Sequence, residues 1–406
     1  MGGRTVVEPV GEGVLGGLLG GGDADVARLW TVRRRLCQGA RNPIVIEMMI
    51  LVVAWLLAFS NGANDNFKGL ATVWGSGTLT YRTALLLATI ATVAGSLTSL
   101  TFANGLVQSF SGKGLVPDTV VASHGFMLSV AAGATFTVLI ATRLGLPVST
   151  THALIGGLVG AGLAQSGGTV HWARLSNLFL LPLLASPLIA AALGVLARRL
   201  TDRVPAVAEC VCIMPSEASM LPEASGAVMQ RAAIPQIVAA SAATCAPLEV
   251  PHKIAVRRFF DRLHVASGMS ICFARGINDT PKLVAVMLAA QVAGFRWSVA
   301  MAAVLMALGG LILSKRVAET MSRRVTALRH RDGLAANIVT SLLVLFASKF
   351  GLPVSTTHVA VGAIAGVGAS AGSLNLGTLR DILMSWIATL PLAAVIAFAL
   401  AHGVSA

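Results

Sequence analysis

The chain alternates between long apolar blocks and short polar phrases. Residues 83–100, 126–140, 178–196, 297–313 and 383–400 are apolar runs, each close to the roughly twenty residues that a helix needs to cross a hydrocarbon core. They predict membrane-spanning helices. Two further apolar blocks are cut short. Residues 45–59 run into Ser60-Asn61-Gly62-Ala63-Asn64-Asp65-Asn66, and residues 265–273 run into a polar phrase at 275–279, after which apolar sequence resumes to 293. About fifteen apolar residues ahead of the first phrase are too few for a straight span, so both blocks predict helices broken at mid-depth. The hydrophilic stretches at 104–123, 198–264 and 315–331 read as loops.

The polar phrases are written twice. Gly62-Ala63-Asn64-Asp65 is followed by Gly145-Leu146-Pro147-Val148-Ser149-Thr150-Thr151-His152, and Gly276-Ile277-Asn278-Asp279 is followed by the same eight residues at 351–358. Duplicated polar phrases inside apolar sequence are the pattern of an internal-repeat transporter. They divide the chain into an N-terminal extension (1–42), a first transmembrane repeat (43–197), a linker (198–264) and a second repeat (265–406). Each repeat holds about five crossings, and an odd number sets the second upside down relative to the first. The expected architecture is an all-α polytopic membrane protein, two inverted repeats with broken or re-entrant helices and about 10–12 membrane segments.

Composition agrees. The chain is 55% hydrophobic and 12% charged, against about 25% charged in a soluble domain, and its mean hydropathy is +0.79. Forty-two glycines suit closely packed membrane helices. The net charge of +13 lies in clusters between apolar blocks, where it sets topology and does not call for nucleic acid. Arg198, Arg199 and Arg203 open the linker, and Lys253, Arg257, Arg258 and Arg262 close it. Positive flanks place that segment, with the basic 315–331 loop, on the cytoplasmic side and both termini outside; Arg33-Arg34-Arg35 run against this orientation. The cysteines (37, 210, 212, 245 and 272) offer only one Cys-x-Cys pair, so no metal or cofactor is expected. Residues 1–42 are glycine-rich, then basic, without the apolar core of a secretory signal, and are expected to be poorly ordered.

Chemistry concentrates at the polar phrases. An ionisable side chain at bilayer depth costs at least about 2.5–3.5 kcal/mol on insertion scales, so Asp65, Lys68, Asp279 and Lys282 are functional candidates rather than interfacial caps. Lysine follows aspartate by three residues in both halves, a spacing that puts the two charges on one helix face, where they compensate each other. Ser149, Thr150, Thr151 and Ser355, Thr356, Thr357 follow Pro147 and Pro353, a helix-start pattern. Their hydroxyls either cap their own helices or serve a ligand; two copies, each paired with an Asn-Asp phrase, favour an oxyanion at half-helix N-termini. His152 and His358 are proton-relay or substrate groups, or packing residues bonded to the opposite repeat, the second being favoured. No His-Glu-x-x-His zinc motif, Gly-x-Ser-x-Gly elbow or nucleotide-binding loop is present, which argues against an intramembrane hydrolase, or any enzyme, and against direct ATP drive. A channel would show no saturable, gradient-coupled uptake.

In these phrases the chain resembles the inorganic phosphate transporter (PiT) family: two Gly-x-Asn-Asp breaks and two Pro-Val-Ser-Thr-Thr-His phrases in the family's order, over about residues 45–197 and 265–403. The resemblance implies an inverted-repeat symporter of the cell membrane (the plasma or inner membrane in a prokaryote), often a homodimer, carrying inorganic phosphate with a coupling cation. By position, Asn64, Asp65, Asn278 and Asp279 fall in its cation and phosphate region, and both Ser-Thr-Thr triplets on its phosphate-binding segments. One departure changes the expectation. Where the family continues Asn-Asp-Val-Ala-Asn-Ala, this chain reads Asn-Asp-Asn-Phe-Lys-Gly and Asn-Asp-Thr-Pro-Lys-Leu. A lysine ammonium has no acceptor and cannot coordinate Na⁺ as an asparagine carbonyl can. Lys68 and Lys282 therefore favour H⁺ over Na⁺ coupling, and the same departure keeps a sulfate or other tetrahedral-oxyanion permease as the alternative.

Overall fold

The computed structural model describes residues 43–101, 104–203, 256–326 and 329–405, with the segments 210–214, 220–222, 228–230, 236–240 and 252–254. The expectation for residues 1–42 lies outside these. The apolar runs form the main helices: α1 (Pro43–Asp65), α2 (Tyr81–Thr98), α3 (His124–Leu144), α4 (Thr150–Gln165) and α5 (Leu181–Asp202), then α6 (Val256–Leu288), α7 (Phe295–Leu313), α8 (His330–Lys349), α9 (Thr356–Ala371) and α10 (Leu376–Ser405). Among the described residues, seven helical stretches are long and apolar enough to cross a membrane. The helices α4 and α9, of 16 residues each, are too short to cross alone. Each follows a reversal at the end of the preceding helix, where Gly145 (φ 73°) and Gly351 (φ 66°) adopt the left-handed backbone that glycine tolerates.

Polarity runs inside out. Leu188, Leu342 and Val395 are 71%, 63% and 67% exposed, while Asp65 and Asp279 are 2% and 4% exposed. Apolar surface outside and charge inside is the arrangement that lipid demands; this is a multi-pass membrane protein.

The two halves are built into each other. The helix α10 packs on α3 and α4, and α5 packs on α8 and α9. Gly-x-x-x-Gly spacing permits this. A methyl group at Gly156 or Gly160 would lie 2.3 Å from Leu390 O or 2.0 Å from Ala394 O, and one at Gly362 or Gly366 would lie 2.4 Å from Pro187 O or 2.1 Å from Ala191 O. Only glycine allows backbones so close. The helix α1 likewise meets α7 where Gly62 faces Met306, and α6 meets α2 where Gly276 faces Thr92.

Three expectations need correction. The helix α1 runs through Ser60–Asp65, with Asn66 N still donating to Gly62 O at 3.0 Å; the chain turns only at Asn66 and Phe67, before the 3₁₀ turn Lys68–Leu70. In the second half there is no break at all: α6 continues through 275–279 and past Pro281 for 33 residues. The intact helix itself presents Asn278 and Lys282 to Val354 O and Lys282 to Thr151 Oγ1, so the site needs no opened backbone here. The expected polar loop at 104–123 instead buries Leu106, Phe110, Leu115 and Val116, because its apolar residues share the inner face of the short helix Asn104–Phe110 and of the turn that follows. In the linker, the described residues add β1 (Cys210–Met214), β2 (Met220–Pro222), β3 (Val228–Gln230), β4 (Gln236–Ala240) and β5 (His252–Ile254). The strand β1 pairs antiparallel with β4 and β5, and β2 with β3. The helices α5 and α6 extend into the expected linker from either side, to Asp202 and from Val256.

Candidate functional site

Helical spacing gathers one polar face from each repeat. Asn61 stands three and four residues before Asn64 and Asp65 on α1; Arg275 stands likewise before Asn278 and Asp279 on α6, with Lys282 three residues past Asp279. The turn after α1 brings Lys68 back over Asp65, giving an ion pair; Lys282 Nζ lies 3.0 Å from Asp279 Oδ1. All eight of these side chains belong to residues no more than 4% exposed. Burying the two aspartates and two lysines is tolerable only because each is paired and hydrogen-bonded.

The second half of the site comes from the two reversals. Pro147 and Pro353 precede extended residues, and Ser149 and Ser355 then cap α4 and α9, accepting from His152 N at 3.2 Å and His358 N at 3.3 Å. Of the two roles open to the hydroxyls, these two take the cap. The threonines reach further. Lys68 Nζ donates to Asn64 Oδ1 (2.8 Å), Val148 O (2.9 Å) and Thr357 Oγ1 (2.6 Å) as well as to Asp65. Lys282 Nζ donates to Thr151 Oγ1 (2.9 Å), Asp279 Oδ1 (3.0 Å) and Val354 O (3.0 Å). Each lysine therefore binds a carbonyl of its own repeat and a threonine of the other. Thr357 Oγ1 donates to Val148 O at 3.0 Å and Thr151 Oγ1 to Val354 O at 3.5 Å, again across the repeats.

The remaining predicted residues divide. Asn64 Nδ2 donates to Thr142 Oγ1 and Leu146 O, and Asn278 Nδ2 to Val354 O and Asp279 Oδ1. Thr150 Oγ1 accepts from Asn61 at 3.0 Å and donates to Asp65 Oδ2 at 3.4 Å. Among the described residues, no hydrogen bond ties the buried Thr356 hydroxyl into the network. His152 and His358 meet edge to face at 4.4 Å; His358 stacks on Trp386 at 3.7 Å and faces Leu183 O at 3.5 Å. The contacts of His358 with His152 and Leu183 reach the opposite repeat, the one with Trp386 stays within its own, and Trp386 Nε1 fastens the first reversal by donating to Pro147 O at 3.0 Å.

Two residues of the cluster escape a motif reading. Asn61 Nδ2 bridges the carboxylates, 3.0 Å from Asp65 Oδ2 and 3.5 Å from Asp279 Oδ2. Arg275, which occupies Asn61's place in the second repeat, donates to Asn61 Oδ1, Asn66 Oδ1 and Thr92 Oγ1 at 3.3, 3.3 and 3.0 Å. A signal for both exists in the sequence: each stands one turn before an Asn-Asp phrase, and a charge at 275 falls at bilayer depth as surely as one at 279. Together the cluster presents ammonium, guanidinium, amide and hydroxyl donors beside two helix N-termini, a set that suits an oxyanion.

Comparison with known proteins points the same way. Residues 61–397 match the model of the phosphate transporter family. A protein of Pyrococcus horikoshii named as a candidate phosphate permease is 28% identical over 86% of this chain and 95% of its own. The chloroplastic inorganic phosphate transporter 2-1 of Arabidopsis thaliana is 28% identical over 87% of this chain and 71% of its own. Among solved structures, a sodium-dependent phosphate transporter superposes with a TM-score of 0.68 at 23% identity, covering 89% of this chain and 99% of that one, so the fold is shared.

Proposed function

The chain belongs to the phosphate transporter family, and on that premise we propose that it imports inorganic phosphate as an inverted-repeat symporter whose two buried lysines stand where coupling metal ions would otherwise sit, leaving protons as the driving ion. The observation that carries this reading is the surroundings of the two ammonium groups. Lys68 Nζ is held by a carboxylate, an amide oxygen, a backbone carbonyl and a hydroxyl; Lys282 Nζ by a carboxylate, a carbonyl and a hydroxyl. Carboxylates and unwound backbone carbonyls are the ligands that transporters of this kind offer to Na⁺. Here each set is already filled by a tethered cation that cannot leave. A fixed charge carries no gradient, so the driving force has to enter as a proton.

The helices beside the site suit alternating access. Each lysine is bonded to both repeats, so a relative movement of the repeats breaks one set of bonds while keeping the Asp–Lys pairs. Radiolabelled phosphate uptake into proteoliposomes tests the proposal. A pH gradient alone drives uptake, sulfate competes poorly, and sodium adds nothing; the double variant Lys68→Asn/Lys282→Asn gains sodium stimulation. A wild-type requirement for sodium keeps the transporter and sinks the lysine-for-sodium reading.

A further inference from the structure

The site carries one positive charge more than its carboxylates balance. Asp65 pairs with Lys68 and Asp279 with Lys282. Within each pair the charge sums to zero whichever partner holds the shared proton. What remains is Arg275, which is fully buried, 0% exposed, and whose guanidinium keeps its charge in any protein environment. Its nearest carboxylate oxygen, Asp279 Oδ2, lies at 3.9 Å, against 3.0 Å for the Lys282–Asp279 contact. Its other contacts, Asn61, Asn66 and Thr92, are neutral acceptors, and its Nε has no hydrogen-bond partner among the described residues. A buried charge whose nearest carboxylate is already paired with a lysine is costly, and a transporter for anions has a natural use for one.

We propose that Arg275 supplies the uncompensated positive charge that the transported oxyanion neutralises, making it the specificity-determining residue of the anion site. The proposal rests on the reading that phosphate binds at this cluster. The repeats differ here by chemistry: the first repeat has Asn61 and the second Arg275, so a site with near-twofold contacts carries its net charge on one side. Asn61 accepts from the guanidinium while its amide nitrogen touches both carboxylates, which keeps Arg275 from collapsing fully onto Asp279. A planar fork aimed at neutral amide oxygens exchanges them for phosphate oxygens at little rearrangement.

The test is phosphate binding to the purified full-length chain in detergent, read by isothermal titration with inorganic phosphate, and with sulfate as a second anion. Arg275→Gln weakens phosphate binding by about tenfold or more, the loss typical of removing one partner from a buried charged contact, whereas Arg275→Lys loses much less. Arg275→Met separates charge from structure: it keeps an unbranched side chain without charge or donors, and it binds phosphate as weakly as the glutamine variant. A folded Arg275→Gln chain that binds phosphate within twofold of wild type overturns the proposal. If that variant does not fold, an Arg275→Met chain that binds phosphate within twofold of wild type overturns it instead. Phosphate binding left unchanged by Thr151→Val and Thr357→Val places the anion elsewhere and overturns the site reading with it.

Discussion

Asp65→Asn and Asp279→Asn are each expected to reduce phosphate uptake by about a hundredfold or more while the protein still inserts and folds. The asparagine has the volume of aspartate, so the packing of α1 and α6 is kept. The charge is not. Lys68 loses its one carboxylate partner among the described residues and Lys282 likewise, and removing one member of a buried pair costs about 3–5 kcal/mol through the charge left behind. Asp65 also accepts from Asn61 and Thr150, and Asp279 from Asn278 and Asn61, so each change also weakens a bond to another helix, α4 in the first case and α1 in the second. The measurement is the initial rate of uptake into proteoliposomes at matched protein content, with size-exclusion chromatography to establish folding. Near-normal uptake in both variants would remove the aspartates from the mechanism.

The place of these aspartates in a buried polar cluster is legible in the amino-acid sequence, for a specific reason. Repetition makes polar phrases stand out from the apolar sequence around them, so Asn64-Asp65 and Asn278-Asp279, with the lysine three residues on, identify themselves. The Ser-Thr-Thr-His phrases also read correctly as helix starts, because proline followed by a hydroxyl residue is a local signal. The position of the helix breaks is not local. The same Asn-Asp phrase ends α1 and lies inside an unbroken α6, and its side chains are bonded to neighbouring segments in both halves, so the phrase itself does not decide where the helix stops. The exchange between repeats is equally hidden. Nothing in the neighbourhood of Lys68 in sequence points to Thr357, nor of Lys282 to Thr151; those bonds exist because α5 and α10 each pack into the other half. Arg275 escapes for a different reason: it adjoins the duplicated Gly-x-Asn-Asp phrase but has Asn61 as its counterpart, so repetition does not single it out.

The glycines of α1 and α7 provide the second large effect, and it tests whether close packing and site geometry are one property. A methyl group at Gly62 would lie 1.9 Å from Met306 O, and one at Gly309 would lie 1.9 Å from Phe59 O. Both obstacles are backbone, so no side chain can swing aside and the two helices have to separate. Overpacking of this kind costs about 1–3 kcal/mol, and more where backbone must move. Gly62 lies between Asn61 and Asn64, so any parting of α1 from α7 shifts the amide that bridges Asp65 and Asp279. Gly62→Ala and Gly309→Ala are therefore expected to lower both thermal stability and uptake, and Gly309→Val to abolish recovery of monodisperse protein. Gly403→Ala is the control: it has open space around it and lies in the last turns of α10, where alanine favours helix. Thermal melts and uptake on the same preparations decide the matter. If Gly309→Ala melts like Gly403→Ala, α1 and α7 do not pack this closely. If its stability falls but uptake does not, the α1–α7 contact holds the fold without setting the geometry of the site.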